Sequence, residues 1–379
     1  MPRTSDFRVI FVVAAGPRIG FGHLVRCRSL ARALGVAPVV VLRGSPDTRR
    51  RAAAGGLQLV NLRSDDELRR LDPQVIVVDD PWPAAVVAWV RRARRAGVPV
   101  ATIHDLAIAA IESDLVIDGS VHSPRGIDGR FGSVRGPSYA ILDPRVRAAR
   151  ERLTRPASRR VLIALGGGRR FALAARLAEA IAARIDGVQI RVAGGFTGAR
   201  GAPALSRATW VETKDGLTGE LSAASVAVLA GGVTLYEACA LGAPAVAVAL
   251  SPAQHMTIRA MARRGAAVDA GPLYRNIPAE AGSHSRRDST IARVARAVEQ
   301  LLRDPAARRR LALNGRRLVD ARGAARVAAR LRQLPTAVAG RLRARRALRR
   351  ASPKPSAEAG GVGHVAQRER GAGRLMRGS

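Results

Sequence analysis

His23 follows two closely spaced glycines, Gly20 and Gly22, where a strand-like run passes into a helix-like one. The run Val9 to Ala15 is short, apolar and rich in β-branched residues, and Gly16-Pro17 ends it, so it reads as a buried strand closed by a turn. Leu24, Cys27, Leu30, Ala31 and Leu34 then recur at helical spacing. His23 therefore sits in or just before the first turn, beside backbone N–H groups that have no intrahelical partner. Such groups attract anions and disfavour an imidazolium. A neutral imidazole at the carboxyl end of a first strand is suited to taking a proton from water or a hydroxyl. A histidine that only caps the helix is the alternative, and the room left by Gly20 and Gly22 argues for a ligand.

A second constellation lies in VAVLAGGVTLYEACALGAPAVAVALSPAQ, residues 226 to 254. A buried strand leads to Gly231-Gly232, a helix follows from about Thr234 to Leu241, and Gly242-Ala243-Pro244 ends it before another buried strand. Paired glycines let backbone N–H groups approach a diphosphate. Thr234 is placed to cap the helix or to bond a phosphate oxygen, and Glu237, one turn further in, to accept two ribose hydroxyls.

These groups need a scaffold that brings strand ends together. Strand-like runs at Val9–Val13, Val39–Leu42, Leu57–Asn61, Val75–Val78, Val100–Ile103 and Leu115–Ile117 alternate with Arg- and Ala-rich helical stretches such as 84–96. ERLTRPASRR, 151–160, reads as a charged linker, after which VLIALGGG opens a second strand-glycine-helix unit containing Gly166 and Gly167. Further strands fit Ile190–Ala193, Trp210–Val211, Val226–Leu229, Ala245–Ala249 and Ala267–Val268. The expected class is α/β: two doubly wound, Rossmann-like domains, 1–150 and 151–335, facing across a ligand cleft. Residues 336–379 hold eleven basic and two acidic residues and form a basic tail, with RLRARRALRR (341–350) as a short helix and no fixed structure after Ser352.

Composition narrows the function classes. Hydrophobic residues make up 47% of the 379 and aromatics only 3%, so the cores are built from Ala, Val, Leu and Ile, which suits helices layered on parallel strands. No apolar run is long enough to span a bilayer, and the start at Val9 lacks the long apolar region of a signal peptide, so a cytoplasmic protein is expected. Cys27 and Cys239 belong to no CxxC pair, so neither a disulfide framework nor a zinc site is implied. The net charge of +35 rests on arginines spread through every element; of 64 basic residues only Lys214 and Lys354 are lysine. Clustered arginine with interleaved aromatics is missing, so a nucleic-acid partner is not expected. The tail alone is concentrated enough to touch an anionic membrane surface, although a solvated tail is the simpler expectation.

IGFGHLVRCRSLARAL (19–34), VVDD (77–80), HDLA (104–107), SDLVIDGS (113–120), YAILDPRVR (139–147), VLIALGGG (161–168) and AGGVTLYEACALGAPAVAV (230–248) occur in that order. In this the chain resembles the GT-B nucleotide-sugar enzymes, and among them the PseG/SpsG family, hydrolases of the pseudaminic-acid pathway that remove UDP from UDP-2,4-diacetamido-2,4,6-trideoxy-β-L-altropyranose. The resemblance covers about residues 8 to 270. It implies a GT-B fold, a UDP-sugar substrate, His23 as the general base that activates water, and no cofactor or metal. It also implies Gly231, Gly232, Thr234 and Glu237 at the UDP, with Gln254 near the sugar or diphosphate, and Gly20, Gly22, Gly166 and Gly167 are expected to line the substrate site with them. VVDD ends a strand at an edge suited to holding a metal, and a hydrogen-bonding role is the preferred expectation. The sequence departs from the family in Gly166-Gly167-Gly168-Arg169-Arg170-Phe171, where GGxDxxN is usual and an Asp and an Asn are lost, at Val233 in place of Ser, at Ala253 in place of Asn, and at His104, which precedes Asp105 where the family tends toward Asp-Asp. A glycosyltransferase whose histidine deprotonates an acceptor hydroxyl, and an inactive nucleotide-sugar-binding protein, stay open as alternatives.

Overall fold

The computed structural model describes residues 6–17, 19–104, 111–122, 128–152, 159–167, 170–195, 198–213, 216–274 and 283–351. The first half runs β1 (Val9–Ala14), α1 (Gly22–Leu34), β2 (Val39–Arg43), α2 (Pro46–Ala54), β3 (Gln58–Leu59), α3 (Asp65–Arg70), β4 (Val75–Asp79), α4 (Pro83–Ala96), β5 (Val100–Ile103), β6 (Leu115–Asp118) and β7 (Ser133–Arg135). After α5 (Pro144–Arg152) comes the second half: β8 (Arg160–Ala164), α6 (Phe171–Ala182), β9 (Gln189–Ala193), β10 (Ala208–Val211), α7 (Thr218–Ala223), β11 (Val226–Ala230), α8 (Val233–Leu241), β12 (Ala245–Ala249), α9 (Pro252–Arg263) and β13 (Val268–Pro272). Three helices close the described chain: α10 (Ser283–Arg303), α11 (Pro305–Leu318) and α12 (Gly323–Ala351).

Among these residues the strands form two sheets, ordered β3-β2-β1-β4-β5-β6-β7 and β10-β9-β8-β11-β12-β13. Neighbouring strands are parallel throughout. Parallel strands covered on both faces need apolar side chains at every position. Accordingly β1, β4, β11 and β12 are buried at each residue. Val75 and Val77 join the core on the α1 side of the first sheet, whereas Ile76 and Val78 join the core on the α4 side, the alternation expected of a strand. Edge strand β7, which the apolar pattern did not reveal, spans three residues with only Val134 buried. Apart from the extra edge strand β7 of the first sheet the two orders are the same, and each reverses direction between its third and fourth strands, β1/β4 and β8/β11. At such a reversal the flanking helices lie on opposite faces and leave a crevice at the carboxyl ends of the strands.

The chain crosses between halves more often than a single boundary at 150 allows. Val146 of α5 packs in the second sheet's core with Leu235 and Leu241. Ala324, Val327, Ala328 and Leu331 of α12, at i, i+3, i+4 and i+7, return to the first sheet's core beside Phe11 and Leu30. The expected second domain, 151–335, thus includes a helix stretch whose apolar face belongs to the first core. Residues Met1–Val338 form one compact unit and Ala339–Ser379 a second. Of the second, the last turns of α12 are described, so the basic stretch 341–350 ends a 29-residue helix and is not a separate one. The tail after Ala351 and residues 153–158 of the expected linker lie outside the described residues. No described helix is long and apolar enough to cross a membrane.

Candidate functional site

The crevice of the first sheet is where charge collects. In register, Asp79 lies beside Val13, one residue from the end of β1. Strand alternation turns Asp79 to the face covered by α1, and there it meets His23 and Arg26, one turn apart on that helix. His23 Nδ1 is 2.7 Å from Asp79 Oδ1. Arg26 donates from Nε to Asp79 Oδ2 at 2.9 Å and from Nη2 to Oδ1 at 2.6 Å. Arg26 Nη2 also lies 2.8 Å from His23 Nδ1. A carboxylate oxygen this close to a ring nitrogen needs a proton between them, so Nδ1–H donates to Asp79 and the lone pair is on Nε2. Burial pushes the Asp79 carboxyl up, but Arg26 and His23 outweigh it and hold the group at about 2. A desolvated pair of this kind contributes little net stability; here it fixes the tautomer and the ring plane of His23.

His23 is the second residue of α1, whose N-cap, Phe21, gives no side-chain hydrogen bond. Gly20, with φ +94°, adopts a conformation that L side chains rarely take. It exchanges both backbone hydrogen bonds with Gly16, at 3.1 and 2.7 Å, which tightens the turn before the helix. Gly22 faces the second half directly: a Cβ there would be 3.9 Å from Val233 Cγ2.

Across that contact stands the second crevice. Gly231 and Gly232 follow β11 and line a cleft, partly open to solvent, together with Arg26, His104, Ser120, Tyr236 and Thr257. The two glycines have different reasons to be glycine. A Cβ on Gly231 would come within 2.8 Å of the Gln254 carbonyl oxygen, so β11 and α9 leave no space there; a Cβ on Gly232 would meet nothing within 4 Å. Gly232 is the N-cap of α8 and no side chain caps it. Thr234 therefore does not cap the helix as one reading of the sequence had it; Gly232 already holds that position, and Thr234 falls within the first turn. The uncapped first-turn N–H groups are the kind of donors an anion takes up.

Glu237, one turn further along α8, is buried. Burial, reinforced by nearby Asp143 and opposed by Arg145, raises its carboxyl to about 7. Asp143 follows the opposite course. Burial raises it too, but Arg145, which donates from Nε at 3.1 Å and Nη2 at 3.0 Å, and Arg32 bring it below its usual range. Arg32 lies on α1 and its ion pair with Asp143 ties that helix to the segment leading into α5. Tyr236 Oη accepts from the Val121 N–H at 3.0 Å, a second tie between the halves. Gln254 accepts the Leu250 N–H at Oε1, 2.9 Å, so its carbonyl is occupied within its own turn. Gly166, with φ +93°, and Gly167 follow β8; they pack near Gly195 and are not among the residues that line the cleft.

Asp79, Arg26, His104, Ser120 and Thr257 were not among the expected site residues. VVDD was the available signal, since the order 3-2-1-4 sets the end of the fourth strand beside the end of the first. Asp80, its second aspartate, turns to the other face and receives Arg43 at 2.8 and 2.6 Å. Among the described residues no cluster of three or more His, Cys, Asp or Glu side chains is placed to ligate a metal. Arg169 and Asp105 lie outside the described residues, and Arg170 is exposed at the start of α6.

No protein-family profile matches the chain. It is 30% identical over 234 residues to the spore coat polysaccharide biosynthesis protein SpsG of Bacillus subtilis (strain 168), a match covering 59% of this chain and 65% of SpsG, so just under two thirds of that relative's length is spanned. The solved structure of the spinosyn forosaminyltransferase SpnP superposes with a TM-score of 0.59 at 20% identity, over 88% of this chain and all of that one. The UDP-GlcNAc 2-epimerase of Neisseria meningitidis, bound to UDP-GlcNAc, superposes with a TM-score of 0.55 at 11% identity, over 86% and 99% of the two chains. The chain thus has the GT-B fold, and its partial similarity to SpsG is consistent with the resemblance to the PseG/SpsG family.

Proposed function

We propose that the chain hydrolyses a UDP-linked sugar, releasing UDP by attack of water at the anomeric carbon with His23 as general base. The observation that carries this reading is the His23–Asp79 pair bonded to Arg26, which lines the cleft together with Gly231 and Gly232 at the uncapped start of α8. In the reaction, His23 Nε2 takes a proton from water as the new C–O bond forms, and the anomeric C–O bond to the diphosphate breaks. Asp79 stabilises the imidazolium that results. UDP is a good leaving group and needs little protonation. The Val233 and Thr234 N–H groups in the first turn of α8, with the Thr234 hydroxyl, stabilise the charge that develops on it. Ionised Glu237 accepts the ribose hydroxyls.

The partial similarity to SpsG, a polysaccharide biosynthesis protein, and the fold shared with an epimerase that binds UDP-GlcNAc are in keeping with a nucleotide-sugar substrate. The test is to incubate the purified protein with a panel of UDP-sugars, with and without candidate acceptor alcohols, and follow UDP and free sugar together. Release of both without acceptor is expected. Release that begins only on adding an acceptor overturns hydrolysis in favour of transfer, and binding without turnover overturns catalysis altogether.

A further inference from the structure

Helix α11, PAARRRLALNGRRL, carries five arginines and no acidic residue. Folding sorts the arginines into two sets. Arg308 and Arg316 turn inward: Arg308 Nη1 donates to the Leu302 carbonyl near the end of α10 at 2.8 Å, and Arg316 Nη2 to the Arg150 carbonyl of α5 at 3.4 Å. Arg309, Arg310 and Arg317 are exposed. Arg310 Nη2 is 3.9 Å from Asp304 Oδ2, and the same carboxylate is the N-cap of the helix, accepting the Ala307 N–H at 2.8 Å. Arg309 and Arg317 have no ion-pair partner among the described residues. Other helices of the chain give such arginines a carboxylate one turn away, as Asp47 receives Arg51 at 2.8 Å and Glu151 receives Arg147 at 3.0 Å.

Leu313 stands in the middle of the outward set. It lies three or four residues from Arg309, Arg310 and Arg317, which puts the four on one face of the helix. It is 55% exposed, whereas Leu311 and Leu318 of the same helix pack against the cores of the second half. Asn314 Nδ2 donates to the Gly265 carbonyl at 3.2 Å and so fastens the end of α9, with exposed Arg263, beside α11. A large apolar side chain left in solvent among unpaired guanidinium groups serves neither the core nor the cleft.

We propose that this face of α11 docks on an anionic lipid bilayer. Arg309, Arg310 and Arg317 pair with headgroup phosphates, for which a guanidinium fork is well shaped. Leu313, at the centre of the three, enters the boundary between headgroups and acyl chains. That leucine is what favours a bilayer over a nucleic acid, which would meet the arginines with phosphates and give the apolar side chain no place to go. The contact is peripheral and reversible, because it rests on three charges and one apolar side chain. It uses the folded surface of the second half and not the basic tail, and it stands whether or not the cleft hydrolyses a nucleotide sugar.

The test is co-sedimentation of the full chain with vesicles of phosphatidylcholine alone and of phosphatidylcholine mixed with phosphatidylglycerol, at low salt. Binding to the mixed vesicles alone is expected. The triple variant Arg309→Gln, Arg310→Gln, Arg317→Gln should bind them at least about tenfold more weakly, and Leu313→Ser about fivefold more weakly. Raising the salt should shrink the difference that the arginines make and leave the difference that Leu313 makes. Both variants should melt as the wild type does, since the four side chains are exposed. Wild-type protein that ignores the mixed vesicles, or that binds both kinds equally, would overturn the proposal. So would undiminished binding by the triple variant, which would move the contact to the tail. Binding to a DNA duplex in preference to the vesicles, unaffected by Leu313→Ser, would replace the bilayer with a nucleic acid.

Discussion

The two sheets share one strand order and one position for the crevice, yet they fill it in opposite ways. The first packs the β1/β4 crevice with its own charges, so that Asp79 is bonded on both oxygens by Arg26 and His23. The second leaves the β8/β11 crevice with backbone donors, an uncapped helix start and a glycine facing open space. A crevice satisfied from within orients a reactive group. One with donors to spare has room to take up a ligand, as proposed for the second.

Breaking the satisfied side should have the larger consequences. Asp79→Asn leaves Arg26 buried without its counter-charge and exchanges one acceptor oxygen for an amide donor, so the His23 tautomer is no longer fixed. We expect turnover to fall about 10²- to 10⁴-fold and stability to drop by about 3–5 kcal/mol. Urea titration alongside rate measurements separates the two effects; full turnover in the Asp79→Asn variant would remove Asp79 from the mechanism.

On the ligand side the paired glycines give a sharper contrast. Gly231→Ala drives a methyl against the Gln254 carbonyl, for which about 1–3 kcal/mol of lost stability is expected. Gly232→Ala meets open space. It should melt close to wild type and yet bind UDP about tenfold more weakly, because the methyl occupies the ligand's approach. If Gly232→Ala leaves UDP affinity untouched, the diphosphate does not approach there.

The smallest effect is a pH dependence. Glu237 is raised in the folded protein from 4.5 to about 7, so between those values the native state holds a proton that the unfolded chain has lost. Stability therefore declines as pH rises through that window and levels off above it. Ribose hydroxyls donate to the ionised form, so UDP affinity should climb severalfold from pH 6 to pH 8, and Glu237→Gln should flatten both curves. A wild-type affinity that does not change over that range would separate Glu237 from the nucleotide.

The scaffold was legible because parallel strands buried on both faces leave unbroken Val, Ile and Ala runs, and because glycines mark where each run ends. His23 and the Gly231–Glu237 segment stood out for the same reason: their spacing is local. Asp79 lies in a pairing of strands that no short window contains, and it meets His23 through strand order. The return of α12 to the first core was equally hidden, since its apolar stripe fits either half. β7 was missed because a short edge strand with one buried residue has almost no pattern.

The central claim is that His23 performs chemistry which the second crevice does not share. It is tested most directly by comparing wild-type protein and His23→Ala for acceptor-free UDP release from a UDP-sugar that the wild type turns over, with UDP affinity measured on the same samples. Loss of release by at least about 10²-fold, with UDP affinity within about twofold, is the predicted result. Release that survives the substitution, or that disappears only because UDP no longer binds, would contradict it.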